Sequence, residues 1–157
     1  MIVNLQRKVK INAADFMPFL VAVRSAVEEV CAGHISVAFV SDKRMKELNR
    51  FFRDKDSTTD VLSFPHEPDE FESSGNTHVA ISEHIETEGE PHVFLGDIVI
   101  SVEQAVRQAK DNKLSLECEI KQLILHGALH LCGYDHETDD GEMDDREMEL
   151  RKRLGIQ

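Results

Sequence analysis

The segment HGALHLCGYDH, residues 126–136, spaces three histidines so that one ion can use all of them. Successive helical residues turn by about 100°, so His126 and His130 stand only about 40° apart on one face, one turn from each other. Gly133 falls where a helix end needs a left-handed residue, and the reversal carries His136 toward the same point. Three neutral imidazoles converging in this way predict a Zn2+ site, one ion per chain, with ligand distances of about 2.0–2.1 Å. Isolated core or surface histidines seldom combine i, i+4 spacing on an apolar helix with a helix-stopping glycine and a third histidine just beyond.

The fourth position decides the chemistry. Cys132 projects about 200° around the helix from His130, and Cys118 also points away from the pair, so both read as small buried residues rather than ligands that close a structural site. With three protein ligands the remaining position is expected to hold water, and three neutral ligands leave the ion's charge to acidify it toward a pKa of about 7. The pattern HxxxHxxGxxH is shared with metzincin peptidases, but position 127 is Gly where those enzymes carry the glutamate that serves as general base. Peptide hydrolysis is therefore the weaker expectation. Asp135 and Asp97 are candidates for a surrogate acid or base, or for the carboxylate that orients a ligand imidazole. Tyr134, the single tyrosine, stands beside the ligands and is expected to pack rather than to act.

These residues need a frame. VNLQRKVKI, residues 3–11, alternates apolar and polar positions as a half-buried strand would. A helix follows, capped by Asn12 or Asp15, with Pro18 confined to its first turn and Phe19, Leu20, Val23, Val27 and Val30 on one face until Gly33. Residues 34–40 read as a strand, 42–53 as a helix capped by Ser41, 54–59 as a polar loop, and 61–65 as a short strand closed by Pro65. The stretch 66–94 is acidic and broken by Pro68, Gly75, Gly89 and Pro91, which predicts a loop or hairpin with THVAISEHI as its one strand-like part. Residues 95–101 form a buried strand. Ser101 and Gln104 make a capping box for a helix to about 112, and a central, broadly apolar helix runs from 115 to about 132. A charged surface helix over 142–153 ends before Gly155.

The chain has 157 residues, 41 % hydrophobic and 31 % charged, which suits a single domain over 1–157 with a real core. Its longest apolar run, Phe16–Val23, contains Pro18 and falls far short of the roughly 20 residues a bilayer requires. Three cysteines cannot all pair within one chain, and the N-terminus lacks the order of a secretory signal, so a cytoplasmic location is expected. The net charge of −12 argues against a nucleic-acid partner until its distribution is considered. Residues 1–56 carry ten basic and seven acidic side chains, whereas 57–100 carry ten acidic and no basic ones. Lys43, Arg44, Lys46, Arg50, Arg53 and Lys55 crowd around Phe51 and Phe52, either as a solvated helix face or as a nucleic-acid-binding surface. Adjacent helix positions diverge, so at least one of the two phenylalanines is expected in the core.

HGALHLCGYDH, together with LNRFFRDKDSTTDVLSFP and LGDIVIS in this order, resembles the YbeY family of bacterial rRNA maturation endoribonucleases across nearly the whole chain. The resemblance implies an α+β fold in which a small mixed β-sheet of about four strands packs with helices, one of them bearing the metal site. It implies a zinc-dependent, single-strand-specific endoribonuclease acting on 16S rRNA 3′-end maturation and ribosome quality control, with ribosomal RNA and the ribosome as partners. The metal ligands carried over are His126, His130 and His136, and the family's important arginine falls on Arg53. The passage from LSFP to LGDI is longer here than is usual in the family, which marks 66–94 as an insertion. The chemistry agrees: an arginine grips a phosphate with two parallel hydrogen bonds and never deprotonates, although a salt bridge from Arg53 to Asp54 or Asp56 is the plainer alternative. Two other functions fit the same residues, a zinc peptidase or a non-catalytic ribosome-assembly factor with a structural zinc.

Overall fold

A computed structural model describes residues 1–30, 33–67 and 93–157. Among these residues four strands form one mixed sheet in the order β1-β2-β4-β3, with β1 (Ile2–Asn4), β2 (His34–Val40) and β4 (Phe94–Ser101) parallel and β3 (Val61–Pro65) antiparallel to β4. Among the described residues five α-helices surround it: α1 (Met17–Ala26), α2 (Asp42–Arg53), α3 (Val102–Asn112), α4 (Leu116–Leu131) and α5 (Glu142–Leu154). This is the mixed α+β architecture expected. The insertion read over 66–94 lies outside the described residues from 68 to 92.

Alternation along the strands sorts the side chains onto two faces. Ile35, Val37 and Phe39 of β2 and Ile98 and Ile100 of β4 share the main core with Phe19, Leu20 and Val23 of α1, the apolar face of α4, and Met143 and Leu150 of α5. On the opposite face Val40, Leu62 and Met45 form a smaller cluster, with Leu48, Phe64 and Val99 packed against it under α2. α4 is buried around most of its circumference, as befits a central helix. Each of its large apolar side chains contributes about 1.5–3 kcal/mol by leaving water.

Serine hydroxyls start three of these helices: Ser41, Ser101 and Ser115 accept hydrogen bonds from the Arg44, Gln104 and Cys118 N–H groups. The expected capping box at Ser101 is only half made, because the Gln104 side chain accepts from Arg107 instead. Asp42 accepts from the hydroxyls of Ser101 at 2.6 Å and Thr58 at 3.1 Å and pairs with Arg107, tying the start of α2 to the end of β4. Burial raises its carboxyl pKa, and these hydrogen bonds and the guanidinium more than offset that, holding it below its ordinary value.

Two expected elements are shorter than their patterns. The strand read over 3–11 stops at Asn4, because the buried Gln6 amide donates to the Val9 carbonyl and accepts from the Val9 N–H, both at 2.9 Å. That amide closes a local turn in place of a ladder. The helix read from 12 to Gly33 is divided into a 3-10 turn at Ala13–Phe16, α1 with Pro18 in its first turn, and a second 3-10 turn at Glu28–Val30. Val27 between them is extended, and both Val27 and Val30 remain in the core.

Candidate metal centre

α4 carries His126 and His130 on one face, their ring centroids 4.7 Å apart. The helix then closes as its sequence demands. Gly133 takes φ +97°, its N–H reaches the His130 carbonyl, and the Tyr134 N–H reaches the Leu129 carbonyl, the paired bonds of a Schellman terminus. The reversal brings His136 to 5.5 and 5.2 Å from the other two rings. One nitrogen from each of the three histidines lies within 4.8 Å of the others, and among the described residues no carboxylate or thiol joins the group.

The outer hydrogen bonds decide which nitrogens face inward. His130 Nδ1 lies 2.9 Å from the Tyr134 carbonyl, which can only accept, so Nδ1 carries the proton and Nε2 the lone pair. His126 Nδ1 lies 2.8 Å from Glu147 Oε2 and is set in the same way. The two Nε2 atoms then face each other at 3.1 Å. Facing lone pairs repel unless a proton or cation lies between them. Two nitrogens on a tetrahedral ion at about 2.0–2.1 Å stand roughly 3.3 Å apart, close to the separation of this pair, and His136 offers a third nitrogen within 4.8 Å. Burial, then the neighbouring His126, lowers the His130 pKa, a shift toward the uncharged form that a metal needs.

Glu147 is the residue that sequence reading missed. It is buried on α5, accepts from Arg151 Nε at 3.1 Å as well as from His126, and connects the metal centre to a helix expected to be surface only. Burial raises its pKa, while the His126 hydrogen bond and the Arg151 charge more than offset this, leaving it below its ordinary value. A signal exists in the sequence: Met143, Glu147 and Leu150 lie on one helical stripe, so a glutamate interrupts an otherwise apolar face. Tyr134 packs against the core as expected, but its hydroxyl also donates to Glu29 at 2.9 Å. Arg146 grips the same carboxylate and holds its pKa down to about 2. The loop bearing the Tyr134 carbonyl is thereby clamped to α5 and to the turn before β2.

Other expected site residues divide. Asp135 lines the cleft, yet its carboxylate accepts from the Glu137 N–H at 3.0 Å, holding the turn rather than an imidazole. Asp97 is exposed and pairs in register with Phe64, whose face of the sheet is covered by α2, so alternation turns it away from α4. Cys118 donates to the Ile156 carbonyl at 3.5 Å and Cys132 packs against the core; neither joins the histidines. Position 127 faces the sheet, where a Cβ would stand 2.8 Å from Ile98 Cγ2, so no side chain fits there and a peptidase-type glutamate has no room.

Beside the histidines opens a cleft of about 620 Å³ that Val61, Ser63 and Pro65 of β3 also line. Arg53, the last residue of α2, and Lys55 line it. Arg53 forms no ion pair among the described residues; Asp56 pairs with Lys46 instead, at 3.9 Å. Lys43, Arg44, Lys46 and Arg50 are exposed on α2 and do not line the cleft, and Arg44 is paired with Glu47.

The fold and cluster define a mixed α+β protein with a three-histidine cluster able to hold a metal, open to a polar cleft that Arg53 and Lys55 help to line. A family model described as "Endoribonuclease YbeY" matches residues 1–155, and the chain belongs to that family. A relative from Thermoanaerobacter sp., named Endoribonuclease YbeY, is 40 % identical over 157 residues, covering 98 % of this chain and 95 % of its own. Another of that name from Nautilia profundicola is 42 % identical over 122 residues, covering 78 % and 73 %. The solution structure of a Thermotoga maritima protein superposes with a TM-score of 0.59 at 25 % identity, over 98 % of this chain and 89 % of that one.

Proposed function

We infer that this chain is a metal-dependent endoribonuclease of rRNA processing, with zinc at His126, His130 and His136 and Arg53 seating the RNA phosphate. The observation that carries the metal site is the 3.1 Å approach of two Nε2 atoms whose Nδ1 partners are both already fixed by acceptors. A divalent ion held there supplies Lewis-acid polarisation of a phosphoryl oxygen and a nucleophile usable at neutral pH. The chain's own groups do the rest. Arg53 presents two parallel N–H donors to phosphate oxygens and compensates charge that grows as the bond to phosphorus breaks. Lys55 adds a second positive charge to the same wall. Glu147 and the Tyr134 carbonyl keep His126 and His130 in one tautomer and one orientation.

Family membership supports the finer reading: single-stranded RNA, 16S rRNA 3′ ends and the ribosome as partner. No described helix is long and apolar enough to cross a membrane, and with three cysteines that cannot all pair we place the protein in the cytoplasm. The peptidase alternative lacks room at position 127 for its base, and the open cleft disfavours a purely structural ion.

The test is bound-metal stoichiometry in the full chain, paired with cleavage of a structured ribosomal RNA fragment before and after chelation. One zinc per chain and loss of cleavage with retained secondary structure are expected, with recovery on adding zinc back. Undiminished turnover by the stripped protein would falsify the reading, and unfolding on chelation without any lost activity would assign the ion a structural role instead.

Glu147→Gln isolates the outer hydrogen bond. It keeps the shape but removes the charge that makes His126 a strong ligand, so zinc affinity should fall about 10–100-fold, read by competition with a chromophoric chelator. Wild-type affinity in this variant would leave Glu147 a packing residue.

A further inference from the structure

Phe51 and Phe52, the adjacent rings at the end of α2, are both outside the core, contrary to expectation: they are 81 % and 57 % exposed. They are nonetheless supported. Phe52 stands edge-on to Phe64 of β3 with centroids 5.0 Å apart, and Phe51 stands edge-on to Phe52 at 4.8 Å. The three rings make a ridge, and a contiguous exposed aromatic surface marks a place of interaction where single exposed residues do not.

The charges around the ridge indicate what it contacts. Glu47 and Asp56 are occupied by Arg44 and Lys46, whereas Arg50, Arg53 and Lys55 have no ion-pair partner among the described residues. Arg53 and Lys55 also line the cleft, and Arg53 directly follows Phe52 at the end of α2. Aromatic faces interleaved with free cations suit a polyanion whose bases are exposed.

We propose that Phe51 and Phe52 form the platform on which unpaired RNA bases stack as the strand enters the cleft. The proposal rests on the endoribonuclease reading and names the residues that select its substrate. Any base offers a π-face to these rings, whereas bases in a duplex are already stacked on one another and withheld. Preference for unpaired RNA then resides in this surface and is independent of the metal centre.

The chain contains no tryptophan, so Phe51→Trp introduces a single reporter at the ridge. Metal-free full-length protein is titrated with a short single-stranded oligoadenylate and with a blunt RNA duplex of equal length. Fluorescence should be quenched by the single strand and not by the duplex. The double variant Phe51→Ala, Phe52→Ala should bind the single strand about tenfold more weakly, with duplex binding and salt dependence unchanged. Arg50→Gln should instead lower the salt slope by about 0.7. If the double variant lost its thermal transition, Phe51→Leu alone would carry the same comparison. Wild-type affinity in the aromatic variants, equal losses for duplex and single strand, or an unquenched tryptophan would each overturn the proposal. A ridge touched by neither RNA would belong to a protein partner. Because binding is read without metal, a failure here is separate from a failure of metal-dependent cleavage.

Discussion

His126→Ala should abolish RNA cleavage and strip the chain of tightly held zinc. Two imidazoles would remain, and losing a direct ligand costs more than the ~10–100-fold in affinity typical of an outer partner. Since the ion's contribution to such chemistry is several kcal/mol, the rate should fall by about a thousandfold or more. A second consequence follows from the geometry. The buried Glu147 carboxylate would keep Arg151 and lose His126, so this variant should also be less stable by about 1–3 kcal/mol. His136 is exposed, and the described residues show it no hydrogen-bond partner, so His136→Ala should match the loss of cleavage at nearly unchanged stability. Metal titration, cleavage rate and thermal unfolding on the two variants check this. Full turnover in either variant would remove that histidine from the site.

Arg53→Ala should lower kcat/KM about 10²–10³-fold, the loss typical of removing one donor that stabilises developing charge. Zinc content should stay at the wild-type level, because Arg53 belongs to α2 and the ligands to α4 and the turn after it. Folding should change by less than about 0.5 kcal/mol, since the side chain is exposed and makes no ion pair among the described residues. Arg53→Lys should recover only part of the rate, for an ammonium keeps the charge without the planar fork. A fall in kcat with KM unchanged would place the contact in the transition state, and a rise in KM alone would make it a substrate anchor. Wild-type kcat/KM in Arg53→Ala would exclude it from both roles.

Much of the frame is written in local chemistry. Ser41, Ser101 and Ser115 mark three helix starts because a hydroxyl there satisfies an otherwise orphaned N–H, and Gly155 ends α5 in the left-handed conformation its position requires. Residues 34–40 and 61–65 carry strand patterns realised at those bounds. Where a pattern failed, a distant or buried group had intervened. The Gln6 amide ended β1 early, and the extended Val27 split the first helix so that Val27 and Val30 both stay inside.

Sequence alone determines the three histidines, because i, i+4 spacing and a glycine three residues on from His130 are properties of one helix and its end. Only the tertiary structure decides what orients them. Glu147 lies 21 residues from His126, and no periodicity links α5 to α4. It also decides that Asp97 faces the wrong side of the sheet and that Phe51 and Phe52 stay in water beside the cleft, since strand register and helix placement are set by the packed core as a whole.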